Sequence, residues 1–430
     1  MKRASPALLL LAALLCVPLP AAAQGPLTLD SCLVIALANS PAIRSADNAL
    51  RSASLARSEL LTTVLPQVQA VIDGIYVPVP PRYGYDPAIT DGGEVRGLIA
   101  VRESVYDSGV RSLKSDQFTL DIDRLGSERR LAALDLALAV KLSFYEYLRA
   151  RAEVGLQKES VDQLEAYLGL LRRLYSAGSA GATDMLKTEI QASAARIALA
   201  KAREASAGAL IGLEETMGIL PDTSVGITGS LEDPAGAVND SAAPVDPAGT
   251  LDMSVAGMLV RRSMIDEDIT RHERLPDLSV FADAGYLASG DNFRLPSSER
   301  LNGLGYEVGL ALQFPILNWG ATGFRAEQKE VATDDLRNRM EILRRSIASD
   351  GLRLRIQIAG ARERLGVLRE NLSKAVDNFI LTKSKFAAGA SLSIEVLSAQ
   401  QSLTDARLAE LQALEDIRTC EARIERLNAH

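Results

Sequence analysis

Proline is missing from two stretches of more than a hundred residues, and this distribution limits the possible folds more than any other feature of the chain. None of the 17 prolines lies between Pro87 and Pro221, and none follows Pro315. Inside a helix, proline removes a backbone donor and clashes with the preceding turn, at a cost of about 3 kcal/mol. Both stretches are therefore free to form long helices.

Apolar residues in both stretches mostly recur at steps of three and four, which is the pattern of a coiled-coil seam. In the second stretch this pattern includes Leu336, Met340, Leu343, Ile347, Leu354, Ile358, Leu365, Leu368 and Leu372. In the first it includes Leu131, Leu134, Leu138, Tyr145 and Leu148. Aromatic residues make up 4% of the chain and charged residues 24%, a composition that favours long helices over compact enzyme cores.

The chain also repeats itself at an offset of about 211 residues. Residues 175–178 (Tyr-Ser-Ala-Gly) match residues 386–389 (Phe-Ala-Ala-Gly), and residues 107–109 (Asp-Ser-Gly) match residues 318–320 (Asn-Trp-Gly). In both copies 69 residues separate the two glycines. Each interval predicts one very long helix, which at 1.5 Å per residue approaches about 100 Å.

The repeat predicts long helices over residues 110–176 and 321–387, followed by returning helices over residues 183–217 and 393–428. Thr183 and Ser393 are the expected N-caps of the returning helices. Asp184 and Glu395 then lie in the first turns, beside the positive end of the helix dipole.

Segments between the helices alternate apolar and polar residues, as strands do. They predict strands over residues 66–79, 95–105, 276–288 and 304–316. Aromatic residues concentrate near these strand ends, as in the girdle of an outer-membrane barrel: Tyr76, Tyr106, Tyr286, Phe314 and Trp319. Four strands cannot close a membrane barrel, which needs about eight, so the chain is expected to oligomerise.

Residues 1–23 have the pattern of a secretory signal peptide, with Lys2 and Arg3 followed by an apolar run and three alanines. After this segment, no window approaches the roughly 18 apolar residues of a transmembrane helix. The predicted organisation is a first structural repeat over residues 24–217, a linker rich in Pro and Gly over 218–250, and a second repeat over 251–430. Each repeat opens with a further helix.

Composition argues against several functions. The two histidines, His272 and His430, lie far apart in the sequence, which argues against a histidine zinc site or a catalytic triad. The formal charge is −8, and removing Lys2 and Arg3 with the signal gives 45 − 55 = −10. An acidic chain is a poor partner for nucleic acid. We expect no catalytic residues, metal or cofactor.

Several motifs together resemble the TolC-like outer membrane efflux proteins over essentially the whole mature chain. The motifs are Leu-Thr-Leu at residues 27–29 leading to Asn-Ser-Pro at 39–41, Leu-Pro at 65–66 and 275–276, Phe-Pro-Ile-Leu-Asn-Trp-Gly at 314–320, and the turn at 386–400. The resemblance implies a mainly α-helical homotrimer. Its three chains would share a twelve-stranded membrane β-barrel and a long periplasmic α-helical barrel of coiled-coil character.

The resemblance further implies an exit duct of a tripartite efflux pump or type I secretion system. A periplasmic adaptor and an inner-membrane transporter would deliver the substrate, and outer-membrane lipid would surround the barrel. The adaptor would dock on the helical tips, whose residues here are Gly178, Thr183, Asp184, Leu186, Gly389, Ser393, Glu395 and Leu397.

Two departures from the family pattern concern these tips. Gly181 and Leu392 stand where the family often has Ser or Thr, and Ser398 stands where many members have a second acid. Asp184 and Glu395 either form acidic rings at the pore mouth or serve only as first-turn acids of their helices.

Two cysteines, Cys32 and Cys420, remain after removal of the signal peptide. The family places both chain ends near the middle of the helical barrel, so the pair either forms a disulfide or remains as two buried thiols.

An alternative function is a periplasmic coiled-coil adaptor or scaffold without a membrane barrel. The four alternating segments favour the channel, because an adaptor does not need them.

Overall fold

The computed structural model of the chain describes residues 26–75, 94–178, 181–221, 226–232, 245–289 and 303–429. The predicted signal peptide, Tyr76 and the end of the first predicted strand, residues 76–79, lie outside this part.

Seven α-helices and four β-strands form within the described residues. In chain order they are α1 (Leu29–Asn39), α2 (Pro41–Thr62), β1 (Gln67–Ile75), β2 (Glu94–Tyr106), α3 (Val110–Ser176), α4 (Ala182–Thr216), α5 (Leu251–His272), β3 (Asp277–Ser289), β4 (Gly303–Gln313), α6 (Ala321–Ala387) and α7 (Ser393–Leu427). None of the described helices combines the length and apolar character needed to cross a membrane.

The chain divides into two compact units, which we describe separately. The helical unit contains the described parts of Met1–Pro41, Ala133–Val245 and Asp350–Asn428. The sheet unit contains those of Ala42–Ala132 and Asp246–Ser349.

In the sheet unit, the four strands form one antiparallel sheet in the order β1-β2-β3-β4. Residues two apart on a strand share a face, and one face is apolar and exposed: Ile72 is 82% exposed, Leu304 88% and Tyr306 86%. The opposite face carries an ion pair between Arg96 and Asp73, which are directly opposed on β2 and β1 and 2.7 Å apart.

Two glycines of this sheet allow close packing between strands. A Cβ atom at Gly285 would lie 2.1 Å from the carbonyl oxygen of Gly97 on β2. A Cβ at Gly309 would lie 2.4 Å from the ring of Phe281, its partner across β3 and β4. Any side chain at either position would therefore force the neighbouring strand or side chain to move.

The last strand ends earlier than its alternation predicts. Residues 304–316 are the predicted strand, whereas β4 ends at Gln313. Pro315 explains the difference, because proline has no N–H to donate to a ladder.

The junctions between strand and long helix have the same backbone geometry in both repeats. Ser108 and Gly109 have φ of 55° and 84°, and Trp319 and Gly320 have 53° and 81°. Serine and tryptophan thus adopt the left-handed conformation that favours glycine.

In the helical unit, ion pairs define which helices are neighbours. Arg196 of α4 pairs with Glu165 of α3 at 2.8 Å. Between α3 and α7, Glu159 pairs with Arg407 at 2.6 Å and Arg149 with Glu415 at 2.8 Å. Between α6 and α7, the pairs are Arg369 with Glu410 and Arg362 with Glu421. These pairs join α4 to α3, α3 to α7 and α7 to α6, and near the tips α4 also packs on α7, where Ala192 lies in the same buried cluster as Val396 and Leu397.

Part of the predicted linker packs on this unit. Leu27 forms a parallel bridge with Ile227, with the Leu27 N–H donating to the Gly226 carbonyl at 2.7 Å. Ile227 and Leu231 are buried in the same cluster as Phe144 and Leu213. This contact fastens the start of α1 to the segment that follows α4.

Candidate functional site: the two helical tips

Both helical hairpins reverse at a glycine in the left-handed conformation. Gly178, between α3 and α4, and Gly389, between α6 and α7, each have φ of +71°. The Gly389 N–H donates to the Phe386 carbonyl, and the Ala390 N–H donates to the Lys385 carbonyl, both at 2.9 Å. These bonds satisfy carbonyls that the end of α6 leaves without partners.

The prediction that Thr183 and Ser393 are N-caps is wrong. The caps are Gly181 and Leu392, whose backbone is extended and neither of which has a side-chain oxygen to accept a capping hydrogen bond. Thr183 and Ser393 already lie within the helices, so their hydroxyls cannot reach the first free N–H groups. The Ser393 hydroxyl is instead buried, 3.0 Å from the Tyr167 hydroxyl.

Asp184 and Glu395 lie in the first turns of α4 and α7. There each carboxylate stabilises the positive end of its helix. Asp184 is half-buried, whereas Glu395 is exposed and accepts a hydrogen bond from the Ser391 hydroxyl. A role for the two acids at a pore mouth stays a prediction.

A small hydrophobic cluster supports the second tip from within. Tyr167 and Leu171 of α3 pack with Val396 and Leu397 of α7. The Tyr167 ring meets the Phe386 ring edge-on, with 5.2 Å between centroids. Burial raises the pKa of Tyr167, and the nearby Asp184 charge adds to this effect, so the buried phenol remains neutral at physiological pH.

The two tips are equivalent in sequence but unequal in packing. Leu186 and Leu397 are equivalent in the repeat, yet Leu186 is 55% exposed and Leu397 is 7% exposed. Ser393 is buried, whereas its equivalent in the first repeat, Ala182, is exposed. Of the predicted docking residues, Leu397 and Ser393 therefore shape their tip from inside.

A cavity of about 490 Å³ opens beside this cluster, among α3, α6 and α7. Tyr167, Phe379 and Phe386 provide aromatic walls, and Gln400 lies at one side. Gln400 Oε1 is buried, and no group within the described residues donates a hydrogen bond to it. Sequence reasoning missed these residues, although aromatic residues shortly before Gly389 were a usable signal.

Cys32 and Cys420 are both free and buried, so the structure has the two thiols rather than the disulfide. Cys32 packs in the cluster around Leu213, whereas Cys420 packs with Leu354 and Ile358 in a different cluster. Burial raises the pKa of the Cys32 thiol to about 11. Within the described ranges, no three His, Cys, Asp or Glu side chains are grouped to hold a metal ion.

The family model of the outer membrane efflux proteins matches residues 89–219 and 249–430, which include both tips and strands β2, β3 and β4. The chain belongs to the outer membrane efflux protein family. This is a family of channel proteins rather than enzymes.

Comparison with individual proteins shows the extent of the similarity. The pyoverdine export outer membrane protein OpmQ of Pseudomonas aeruginosa is 24% identical over 426 residues, covering 90% of this chain and 83% of OpmQ. The crystal structure of VceC from Vibrio cholerae is 16% identical with a TM-score of 0.77, covering 93% of this chain and 96% of VceC. The CmeC outer membrane channel of Campylobacter jejuni is 11% identical with a TM-score of 0.78, covering 93% and 85%. The predicted TolC-like fold of long helices and four strands is thus confirmed.

Proposed function

We propose that this chain is the outer membrane channel of a tripartite efflux pump or type I secretion system. It conducts substrates from a periplasmic adaptor and inner-membrane transporter to the exterior. The observation that carries the proposal is the four-stranded sheet, which has one exposed apolar face and unpaired edges within the described residues at β1 and β4.

The exposed face fits lipid rather than water. On β4 alone, Leu304, Tyr306, Val308, Leu310 and Leu312 are each more than 60% exposed. Soluble monomers rarely expose a contiguous apolar patch of this kind unless it is an interaction site. An adaptor or scaffold in the aqueous periplasm has no use for such a face, so the channel explains the sheet better.

The open edges call for further copies of the chain. An unpaired strand edge is not tolerated in the hydrocarbon core of a membrane, and the smallest membrane barrels have about eight strands. Three copies with four strands each give the twelve-stranded barrel of the family. The signal peptide at residues 1–23 would export the chain, with the barrel in the outer membrane and the helices in the periplasm.

The tips are proposed to receive the adaptor. Gly178 and Gly389 give both turns the same backbone geometry, and Leu186 and Thr183 offer exposed side chains on the first tip. Three copies of Asp184 and Glu395 would then surround the narrow mouth and attract cations.

The test combines oligomeric state with export. We expect heat-resistant trimers in outer-membrane extracts, and loss of export from cells that lack this chain but keep the pump. Pyoverdine is a first cargo to assay because the relative OpmQ is named for its export. A stable monomer in the soluble periplasmic fraction would contradict the proposal and support the adaptor alternative.

A further inference from the structure

Helices α4 and α6 each carry an exposed apolar stripe, on a face that no other described helix covers. On α4 the stripe consists of Leu186, Ile190, Ile197 and Ile211, between 41% and 67% exposed. On α6 it consists of Leu352, Ile356, Val367 and Leu381, between 53% and 64% exposed. The residues recur mainly at steps of 4, 7, 11 and 14, as in a coiled-coil seam.

The contact between α3 and α7 within the chain indicates which helices would cover these stripes. In the 211-residue repeat, α6 is the equivalent of α3 and α4 is the equivalent of α7. The same kind of contact would therefore place α6 of one copy against α4 of another.

The charged residues that pair between α3 and α7 recur at the equivalent positions of α6 and α4. Glu159 and Arg407 pair at 2.6 Å between α3 and α7, and their equivalents are Glu370 and Arg196, the same residue types. Both side chains are exposed, Glu370 by 67% and Arg196 by 56%. Each also forms an ion pair within its own chain, Glu370 with Lys374 and Arg196 with Glu165, and keeps enough exposed surface to meet a charge on another chain.

A second ion pair between α3 and α7 recurs in altered form. Arg149 pairs with Glu415 at 2.8 Å, and the equivalent positions hold Gly360 and Glu204. Gly360 carries no charge, but the guanidinium of Arg364, one turn further along α6, lies over the same position. Its Nη1 atom is 3.6 Å from where a Cβ of Gly360 would be.

We propose that α4 of one copy packs antiparallel against α6 of a second copy, with Arg196 opposite the partner's Glu370 and Glu204 opposite the partner's Arg364. The charges are complementary at both points. Because the contact joins two different faces, its repetition forms a ring when the rotation between successive copies closes, as three copies do in the proposed channel. This inference rests on the proposed function, in which three copies surround one channel, and specifies the surface that joins them.

Cross-linking tests this register. The full-length variant Arg196→Cys with Glu370→Cys is extracted as the oligomer and treated with a short bismaleimide. We expect covalent dimers and trimers on a denaturing gel, and none from either single variant, because the two positions meet only across copies. Cys32 and Cys420 are buried, so the single variants also control for any reaction of these native thiols.

A matched control uses another face of α4. Lys201 is also exposed but lies about 140° around the helix from Arg196, at 100° per residue. Lys201→Cys with Glu370→Cys should give no ladder, and an equally strong ladder from this pair would refute the register.

Charge reversal provides a second measurement. Arg196→Glu or Glu370→Arg alone should lower the temperature at which the oligomer dissociates, and the double reversal should restore it. If the unmodified chain is not a trimer, the proposed channel fails. If it is a trimer but the Arg196 and Glu370 positions neither cross-link nor rescue each other, the inference fails while the channel stands.

Discussion

Replacing Gly389 with valine should open the second tip without disturbing its surroundings. The φ of +71° is unfavourable for any side chain, yet a Cβ there would meet no atom within 4 Å. The cost is therefore confined to the backbone. A left-handed conformation costs an L-residue about 1–2 kcal/mol, and up to about 3 kcal/mol for strained positions in general.

This cost increases the population of molecules in which the turn is open. Since about 1.4 kcal/mol is a factor of ten, 1–3 kcal/mol raises the opened form of the turn roughly 5- to 150-fold. Hydrogen exchange of the backbone amides at positions 389 and 390 reports the change directly, because in the natural chain both amides donate to carbonyls at the end of α6. Export should fall in parallel, while trimers remain in the membrane.

Two controls make the test specific. Gly389→Asn should behave much more like the natural chain, because asparagine enters the left-handed region more easily. Gly366→Ala, in a helix with open space around its Cβ, should be neutral or stabilising. If valine leaves both the exchange rates and export unchanged, or if asparagine is as harmful as valine, the conformational argument is wrong.

The remaining predictions concern the pore, the thiols and the sheet. Glu395→Gln should weaken cation selectivity more at low salt than at high salt, since salt screens exposed charges; an unchanged reversal potential would leave Glu395 as a helix-start acid. At pH 8, Cys32 and Cys420 should resist maleimide in the folded protein and give two reactive thiols in denaturant, because both are free and buried with raised pKa values. Gly285→Ala should lower the free energy of unfolding by about 1–3 kcal/mol through overpacking and reduce the yield of trimer, because the added Cβ would overlap a β2 carbonyl. Gly305→Ala is the control, because the space around that position is open. Equal trimer yields from the two variants would refute the clash.

The sequence predicts the fold class because the decisive features are local. Proline-free stretches and steps of three and four specify long helices whatever surrounds them. The repeated glycines mark positions where the backbone needs positive φ, and the structure has that conformation at Gly109, Gly178, Gly320 and Gly389.

The details of the tips depend on contacts that the local sequence does not contain. Thr183 and Ser393 have a preference for capping of only about 1 kcal/mol, which the geometry of the turn overrides at both tips; at Ser393 the buried contact with Tyr167 adds to this effect. Leu186 and Leu397 have the same residue type and the same place in the repeat, so only the neighbouring helix decides which is buried. The role of Tyr167 depends on Ser393, which lies 226 residues away.

Among the strands that the structure describes, β1 and β4 each have an unpaired edge, which has a consequence for biogenesis. In the proposed trimer the sheet is completed only by other chains, so its stability would depend on protomer concentration and its folding would include an association step. Until that step occurs, the exposed edge and the apolar face of β4 are available to incorrect partners, and such species aggregate. Slow synthesis would therefore delay completion of the proposed barrel, and a holding chaperone in the periplasm would raise the yield of channels without changing their final stability.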